Sequence, residues 1–381
     1  MINAQQTELI ENLISSVQKE FSPDKRTVLF SISFSSEDSK VKLNGETTSG
    51  KAKDALLKRL TDAGLTFSDS IIVLPSGEAA LKPFGVVTIS VANMRTKPEH
   101  SAEMATQAIL GTPLKVYKKV RDWYLVQTPD NYLGWMDDDG LMPMDESSFN
   151  QWNDTEKIII TSNACLGYEK ADLKSAIVTD LVIGNILSKT GTSGEFAEAK
   201  LPDGRLCYVK NEDHIPFTKW AEGIDENNIK AGEIISTAKL FMGVPYLWGG
   251  TSAKGLDCSG FTKTVFFLNG AVLPRDASQQ VHVGMPVETG SDFENVFPGD
   301  LLFFGEKATD STRERITHVA IYLGGKEFIH AAGRVKINSF DRNSKIFSAY
   351  RLRTFIRAKR LLPNPILPGI IPVKTTILNQ D

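Results

Sequence analysis

Cysteine is scarce in this chain. There are three, Cys165, Cys207 and Cys258, and no C-x-x-C pair. That excludes a cysteine-rich zinc module and a disulfide-built scaffold. Cys165 and Cys207 are free to pair as far as spacing goes; the simpler reading makes both small buried hydrophobes. No metal and no cofactor is expected. No apolar run reaches the roughly 18 residues of a membrane-crossing helix. The first residues, Met-Ile-Asn-Ala-Gln-Gln-Thr-Glu, lack the basic and apolar regions of a secretory leader. Location is therefore open: cytoplasm, or periplasm and cell envelope if a leader was removed. An excess of positive charge is missing as well, with 43 Lys and Arg against 46 Asp and Glu and a net charge of −3. A basic surface is what nucleic acid requires, so no nucleic-acid partner is expected. The 41% hydrophobic and 23% charged residues are ordinary for globular protein. A chain of 381 residues has room for roughly two to four domains.

Against these absences one stretch stands out, Gly243-Val-Pro-Tyr-Leu-Trp-Gly-Gly-Thr-Ser-Ala-Lys-Gly-Leu-Asp-Cys-Ser-Gly-Phe261. Pro245, Gly249, Gly250 and Gly255 forbid a helix before Asp257. From there Phe261, Val265 and Leu268 fall on one helical face, and Asn269-Gly270 is a helix stop. A glycine-rich loop thus delivers Cys258 to the first turn of an apolar helix. Unpaired N–H groups there favour an anion, so the placement favours a thiolate nucleophile and an oxyanion beside it. The bland alternative is a buried structural cysteine. His318, in Thr-His-Val-Ala-Ile-Tyr-Leu-Gly-Gly, and His330, in Glu-Phe-Ile-His-Ala-Ala-Gly, fall on two strand-like runs around the Gly324-Gly325 turn. A hairpin would bring the two imidazoles together, one as base to the thiol and one to hold the first ring.

Tyr246-Leu-Trp-Gly-Gly, Asp257-Cys-Ser-Gly-Phe, Pro274-Arg275, Pro298-Gly-Asp-Leu-Leu-Phe-Phe, His318-Val-Ala-Ile-Tyr-Leu-Gly and Phe328-Ile-His-Ala follow one another in order. Over roughly residues 230 to 360 this set resembles the NlpC-type cell-wall cysteine peptidases. The resemblance implies Cys258 as nucleophile, His318 as base and His330 as third polar group. It implies a papain-like α+β domain, a cysteine helix packed on an antiparallel sheet. It also implies Tyr246 near the sulfur, Trp248 packing or lining the cleft, and Ser259 as a cleft residue. Asp257 reads as a helix N-cap and a substrate contact. Arg275 reads as an anchor or as the partner of a substrate carboxylate.

Four further units are expected around this domain, itself placed at 228–362. Residues 1–80 read as a small α/β unit with no site chemistry: helices over Leu9–Phe21 and Ala52–Ala63, strands at Val28–Phe34, Val41–Leu43 and Ile71–Leu74. Residues 84–145 read as a small barrel with strands at Val86–Val91, Leu114–Val116, Trp123–Gln127 and Tyr132–Met136. Its Asn93-Met-Arg-Thr, Gly111-Thr-Pro and Gly134-Trp135 resemble a bacterial SH3-like domain. Residues 156–217 read as a degenerate second copy. Within the catalytic domain a helix with the stripe Ile234, Ile235, Ala238, Phe241 and Met242 precedes the signature, Asp300 fixes a turn, and Leu352, Thr354, Ile356 and Ala358 mark a last strand with a solvated basic face. The tail 363–381, with Pro363, Pro365, Pro368 and Pro372, is expected extended along the surface or mobile.

The barrels either grip wall peptide or close one end of the cleft. Members of the family with this domain order resemble γ-D-glutamyl-L-diamino acid endopeptidases, which cut stem peptides bearing a free N-terminal L-alanine. Reading a free ammonium requires a carboxylate and acceptor oxygens, for which Asp276, Glu99 and the Tyr132 phenol are the candidates. The expected partner is a peptidoglycan stem peptide, with no integral membrane contact and a monomeric chain. Two other readings stay open: an acyltransferase on the same scaffold, and a non-catalytic wall-binding protein.

Overall fold

The architecture comes from a computed structural model that describes residues 3–37, 40–225, 228–363 and 367–374. It opens with a helix, Ala4–Phe21, started by a reciprocal pair: Asn3 Oδ1 accepts from the Gln6 N–H at 2.8 Å and Gln6 Oε1 from the Asn3 N–H at 3.1 Å. Ile10 and Val17, two turns apart, are its buried face. With the helix Gly50–Asp62 they pack on a three-stranded sheet. There Lys40–Thr47 pairs antiparallel with Phe30–Glu37 and parallel with Phe67–Val73. The parallel pair is joined through the second helix, as parallel pairs must be.

Two seven-stranded sheets follow, one over residues 84–144 and one over residues 157–216. The expected strand Val86–Val91 is two strands, Phe84–Val87 and Val91–Arg95. The chain turns between them because the Thr88 N–H and hydroxyl are both drawn to carbonyls of the 139–140 turn. Ser90 ties the two sheets to the domain beyond. Its hydroxyl donates to Asp180 at 2.9 Å and accepts from Lys254 at 2.8 Å, and Lys254 also pairs with Asp180. Asn185 Nδ2 adds a bond to the Ser90 carbonyl.

The helix before the signature spans Ala231–Leu240 and buries Ile234 and Ala238, with Phe241 behind them; Met242 lies past its end and is exposed, not in the stripe. The last sheet has six strands in the order Met285–Val287, Phe355–Arg360, Leu301–Glu306, Arg315–Gly324, Glu327–Ala332, Arg334–Ser339. Its alternation divides two cores. Leu301, Phe303, Val319, Ile321, Ile329 and Ala331 pack under the helix Cys258–Leu268. Leu302, Phe304, Ala320, Tyr322 and Phe328 pack with Phe340 on the other face. Burial on both faces is why Leu301–Phe304 reads as an unbroken apolar run.

Two expectations fail here. Leu352 and Thr354 are not on a strand: Ala349–Thr354 is a helix, started by Ser348 Oγ accepting from the Arg351 N–H, and the strand begins at Phe355. The basic residues before Phe355 therefore do not share one solvated sheet face. Nor does all of the described tail lie along the surface: Ile371–Pro372 is extended as expected but pairs with Ala271–Val272, and Ile370 and Val373 are buried. Pro365 lies outside the described residues.

Candidate active site

Asp257 ties the signature loop to the helix it precedes. Its backbone is extended at φ −87°, as an N-cap is, and Oδ1 accepts from the Gly260 N–H at 2.7 Å while Oδ2 accepts from the Gly249 N–H at 3.0 Å. The glycines are required by close approach. A Cβ on Gly260 would lie 2.0 Å from the Gly250 carbonyl oxygen, and one on Gly249, at φ +79°, would lie 2.5 Å from that of Met104. The helix is buried on nearly every side from Cys258 to Phe266, not along a single stripe. The first barrel supplies its other cover: Gln107 Oε1 accepts from the Thr251 N–H at 3.0 Å and the Ser252 hydroxyl at 3.1 Å.

Cys258 is 7% exposed. Burial, with the Asp257 carboxylate beside it, pushes the thiol up to about 11, against the pull of the Val319 and Ser259 N–H groups and of Arg275. Burial thus works against the thiolate that the helix start favours. Desolvation is the largest influence on the thiol.

Val319 follows His318, so the N–H directed at the sulfur belongs to the strand that carries the imidazole. His318 Nε2 lies 2.7 Å from His330 Nδ1, and His330 Nε2 lies 2.9 Å from Asn338 Oδ1. Asn338 Nδ2 donates to the Ile346 carbonyl at 3.0 Å. That bond orients the amide, so Oδ1 accepts from His330 Nε2–H. His330 Nδ1 must then accept from His318 Nε2–H, which leaves the lone pair of His318 on Nδ1. Both rings are kept neutral. Burial, then Arg351 and His330, hold His318 well below its ordinary value, and burial takes His330 down to about 4. Asn338 escaped the sequence reading because an asparagine on an alternating strand carries no signal of its own.

Arg275 is 1% exposed and its guanidinium is taken up internally: Nη2 to Asp257 Oδ2 at 2.6 Å, Nη1 to Asp257 Oδ1 at 3.1 Å and Ser259 Oγ at 3.0 Å, Nε to Thr106 Oγ1 at 2.8 Å. It is an anchor that holds both neighbours of Cys258 onto the first barrel. A substrate carboxylate, the other role foreseen for it, finds no free fork. Asp257 and Ser259 are buried in the same network.

Asp276 and Tyr132 do come together, the phenol donating to Asp276 Oδ2 at 3.0 Å. Burial and that carboxylate raise the Tyr132 phenol. The N-terminal unit, read from the sequence as free of site chemistry, joins them as a positioning element. Arg26 Nη1 donates to the same Oδ2 at 2.7 Å and to Ser278 Oγ at 3.0 Å, while Asp24 accepts from Gln279 Nε2 at 2.7 Å. Glu99 is not part of this group. It sits in an exposed turn, and Glu103 is the barrel carboxylate that meets the signature loop, accepting from Trp248 Nε1 at 2.8 Å. Trp248 is otherwise exposed at 63%, held at the rim and not packed. Tyr246, raised to about 12 by burial and by Cys258 and Asp257, remains a hydroxyl donor across neutral pH. Arg351, on the basic face read from the sequence as solvated, is half-buried; its charge acts on His318 and couples to Cys258 and Tyr246.

A thiol at a helix start, an imidazole with a fixed tautomer and a second imidazole holding it form the arrangement that covalent acyl chemistry uses. Known proteins resemble the chain that carries it. The NlpC/P60 family profile matches residues 243–355, and that of the bacterial dipeptidyl-peptidase Sh3 domain matches residues 94–141. Dipeptidyl-peptidase 6 of Lysinibacillus sphaericus is 27% identical over 69% of this chain and 93% of its own. The γ-D-glutamyl-L-lysine dipeptidyl-peptidase of Bacillus cereus is 32% identical over 60% of this chain and 67% of its own. The crystal structure of an NlpC/P60 family protein from Bacillus cereus superimposes with a TM-score of 0.60 at 24% identity, covering 74% of this chain and all of that one, and so shares the fold. The chain belongs to the NlpC/P60 family, as a cysteine peptidase that hydrolyses peptidoglycan and carries a bacterial dipeptidyl-peptidase SH3 domain.

Proposed function

We propose that the enzyme cleaves the γ-D-glutamyl-L-diamino acid bond of stem peptides that begin with a free L-alanine. The observation that carries this reading is the meeting of Tyr132 and Asp276 next to Arg275, the residue that grips both neighbours of Cys258. A carboxylate and a phenol at that end suit a substrate ammonium, and a barrel wall there favours peptides with a free end over polymer.

In this mechanism the Cys258 thiol passes its proton to His318 Nδ1 as the sulfur attacks the γ-carbonyl carbon of D-glutamate. The resting pair is neutral, so charge separates only when substrate is in place. The developing oxyanion takes hydrogen bonds from the Cys258 N–H, one of the first helical N–H groups without an intrahelical partner, and from the Tyr246 hydroxyl. His318 returns the proton to the leaving amine. It then takes one from water, which attacks the thioester and releases the L-alanyl-γ-D-glutamate. His330 and Asn338 keep the proton of His318 on Nε2 throughout.

Mass spectrometry of digests of L-Ala-γ-D-Glu-L-Lys and its N-acetylated form tests the reading. Free peptide is expected to give L-Ala-γ-D-Glu and lysine, the acetylated form at least tenfold less. Equal cleavage of both removes the ammonium from the reading, and products bearing an added amine make the enzyme an acyltransferase. Cys258→Ala is expected to abolish turnover with unchanged circular dichroism; retained activity overturns the mechanism.

A further inference from the structure

Most guanidinium groups around the site are spoken for. Arg275 is held by Asp257, Arg26 by Asp24 and Asp276, Arg357 by Glu314 and Arg360 by Asp300. Arg351 has no carboxylate partner and no side-chain hydrogen bond among the described residues, although it is half-buried. It is held by rings instead. Its guanidinium lies over Phe304 at 5.4 Å and over Tyr350 at 5.2 Å from the ring centres, and the Phe304 ring lies 5.7 Å from that of His318. A half-desolvated cation without a counter-charge is costly to keep. Here its charge also works against protonation of His318, the group that must accept a proton. A cost of that kind is met at functional sites when a ligand supplies the missing charge.

Its side of the cleft names that ligand. Arg351 acts on His318 and His330 and couples in turn to Cys258 and Tyr246, with the Tyr350 ring against it. The imidazole gives its proton to the leaving nitrogen, so a cation beside it faces the leaving group. The leaving amino acid carries its α-carboxylate two bonds from that nitrogen. We infer that Arg351 binds the free α-carboxylate of the diamino acid whose amine departs, which makes the enzyme selective for peptides that end at that residue. Asp276 then reads the positive end of the substrate and Arg351 the negative end, with the scissile bond between them. This rests on the bond assignment under Proposed function.

The test compares kcat/KM for L-Ala-γ-D-Glu-L-Lys and its C-terminal amide at a pH above the acid limb. The intact enzyme is expected to favour the free acid by about ten- to a hundredfold, the range for a charge-assisted hydrogen bond. Arg351→Met is expected to lose that preference by slowing on the acid alone, and Arg351→Lys to keep part of it. Equal rates for both peptides in the intact enzyme overturn the inference while leaving the bond assignment standing. A preference that survives in Arg351→Met overturns it too, because another cation then reads the carboxylate. Cleavage of neither peptide instead removes the bond assignment, and the inference with it.

Discussion

Arg26 and Asp276 stand 250 residues apart in the chain, yet Arg26 Nη1 donates to Asp276 Oδ2 at 2.7 Å, and the Tyr132 phenol donates to the same oxygen. One carboxylate oxygen therefore joins the N-terminal unit, the first barrel and the catalytic domain. Arg26 is itself oriented by Asp24, which accepts from Nε at 2.8 Å and from Nη2 at 2.7 Å.

Changing the two partners separates docking from recognition. The Arg26 and Asp276 side chains are 34% and 28% exposed, so Arg26→Met is expected to lower unfolding stability by only about 1 kcal/mol. Asp276→Asn is expected to raise KM for the free-amine peptide about tenfold or more and to leave the N-acetylated peptide unaffected. Steady-state kinetics on the two peptides decide, and a parallel loss on both contradicts ammonium recognition.

Asn338 acts through His330 on the tautomer of His318. Asn338→Ala removes the acceptor for His330 Nε2–H, so both rings become free to exchange protons and swing. The expected result is a fall in kcat of about tenfold with KM little changed. An unaltered kcat means the tautomer is set by something else.

Acid should loosen the fold through the same two rings. His330 is held at about 4 and His318 well below 6.5, both first by burial. Below about pH 6.5 the unfolded chain binds protons at these positions that the folded chain refuses, so stability falls as pH drops from there toward 4. Above about pH 7 the pair adds no slope. Urea midpoints measured from about pH 7.5 to 4.5 check the sign; a midpoint that climbs on acidification contradicts it. Activity should follow, with an acid limb in kcat/KM below the ordinary imidazole range.

Arg275 offers a contrast with Arg26. It is 1% exposed, and Arg275→Met strands the Asp257 carboxylate without its cation. Breaking a buried pair from one side costs about 3–5 kcal/mol. Denaturant unfolding should show that loss, several times the effect of Arg26→Met. If the two are alike, the network around Asp257 is wetter than its burial indicates.

The cysteine helix was legible because its cues are local. Proline and glycine stop a helix before Asp257, the aspartate caps it, and Asn269-Gly270 ends it. The His318 and His330 hairpin was legible for the same reason, as two apolar runs around a Gly-Gly turn. Leu352–Ala358 misled because alternation over so few residues fits a strand, while the Ser348 cap that starts a helix there is a weaker signal. Glu99 was named and Glu103 was not, because nothing in a barrel loop says which of two exposed glutamates meets a loop of another domain. The N-terminal unit gave no hint of Arg26, whose partner lies in another domain.

Residue order alone placed Cys258 at a helix start and His318 and His330 on one hairpin, because backbone stiffness, capping and alternation act over a few residues and leave marks that can be read in place. Folding in three dimensions decided the protonation of that pair, the shared oxygen of Asp276, the captivity of Arg275 and the freedom of Arg351. Each depends on which distant groups remove water from a charge or bring a counter-charge to it, and neither is written in any single stretch of chain.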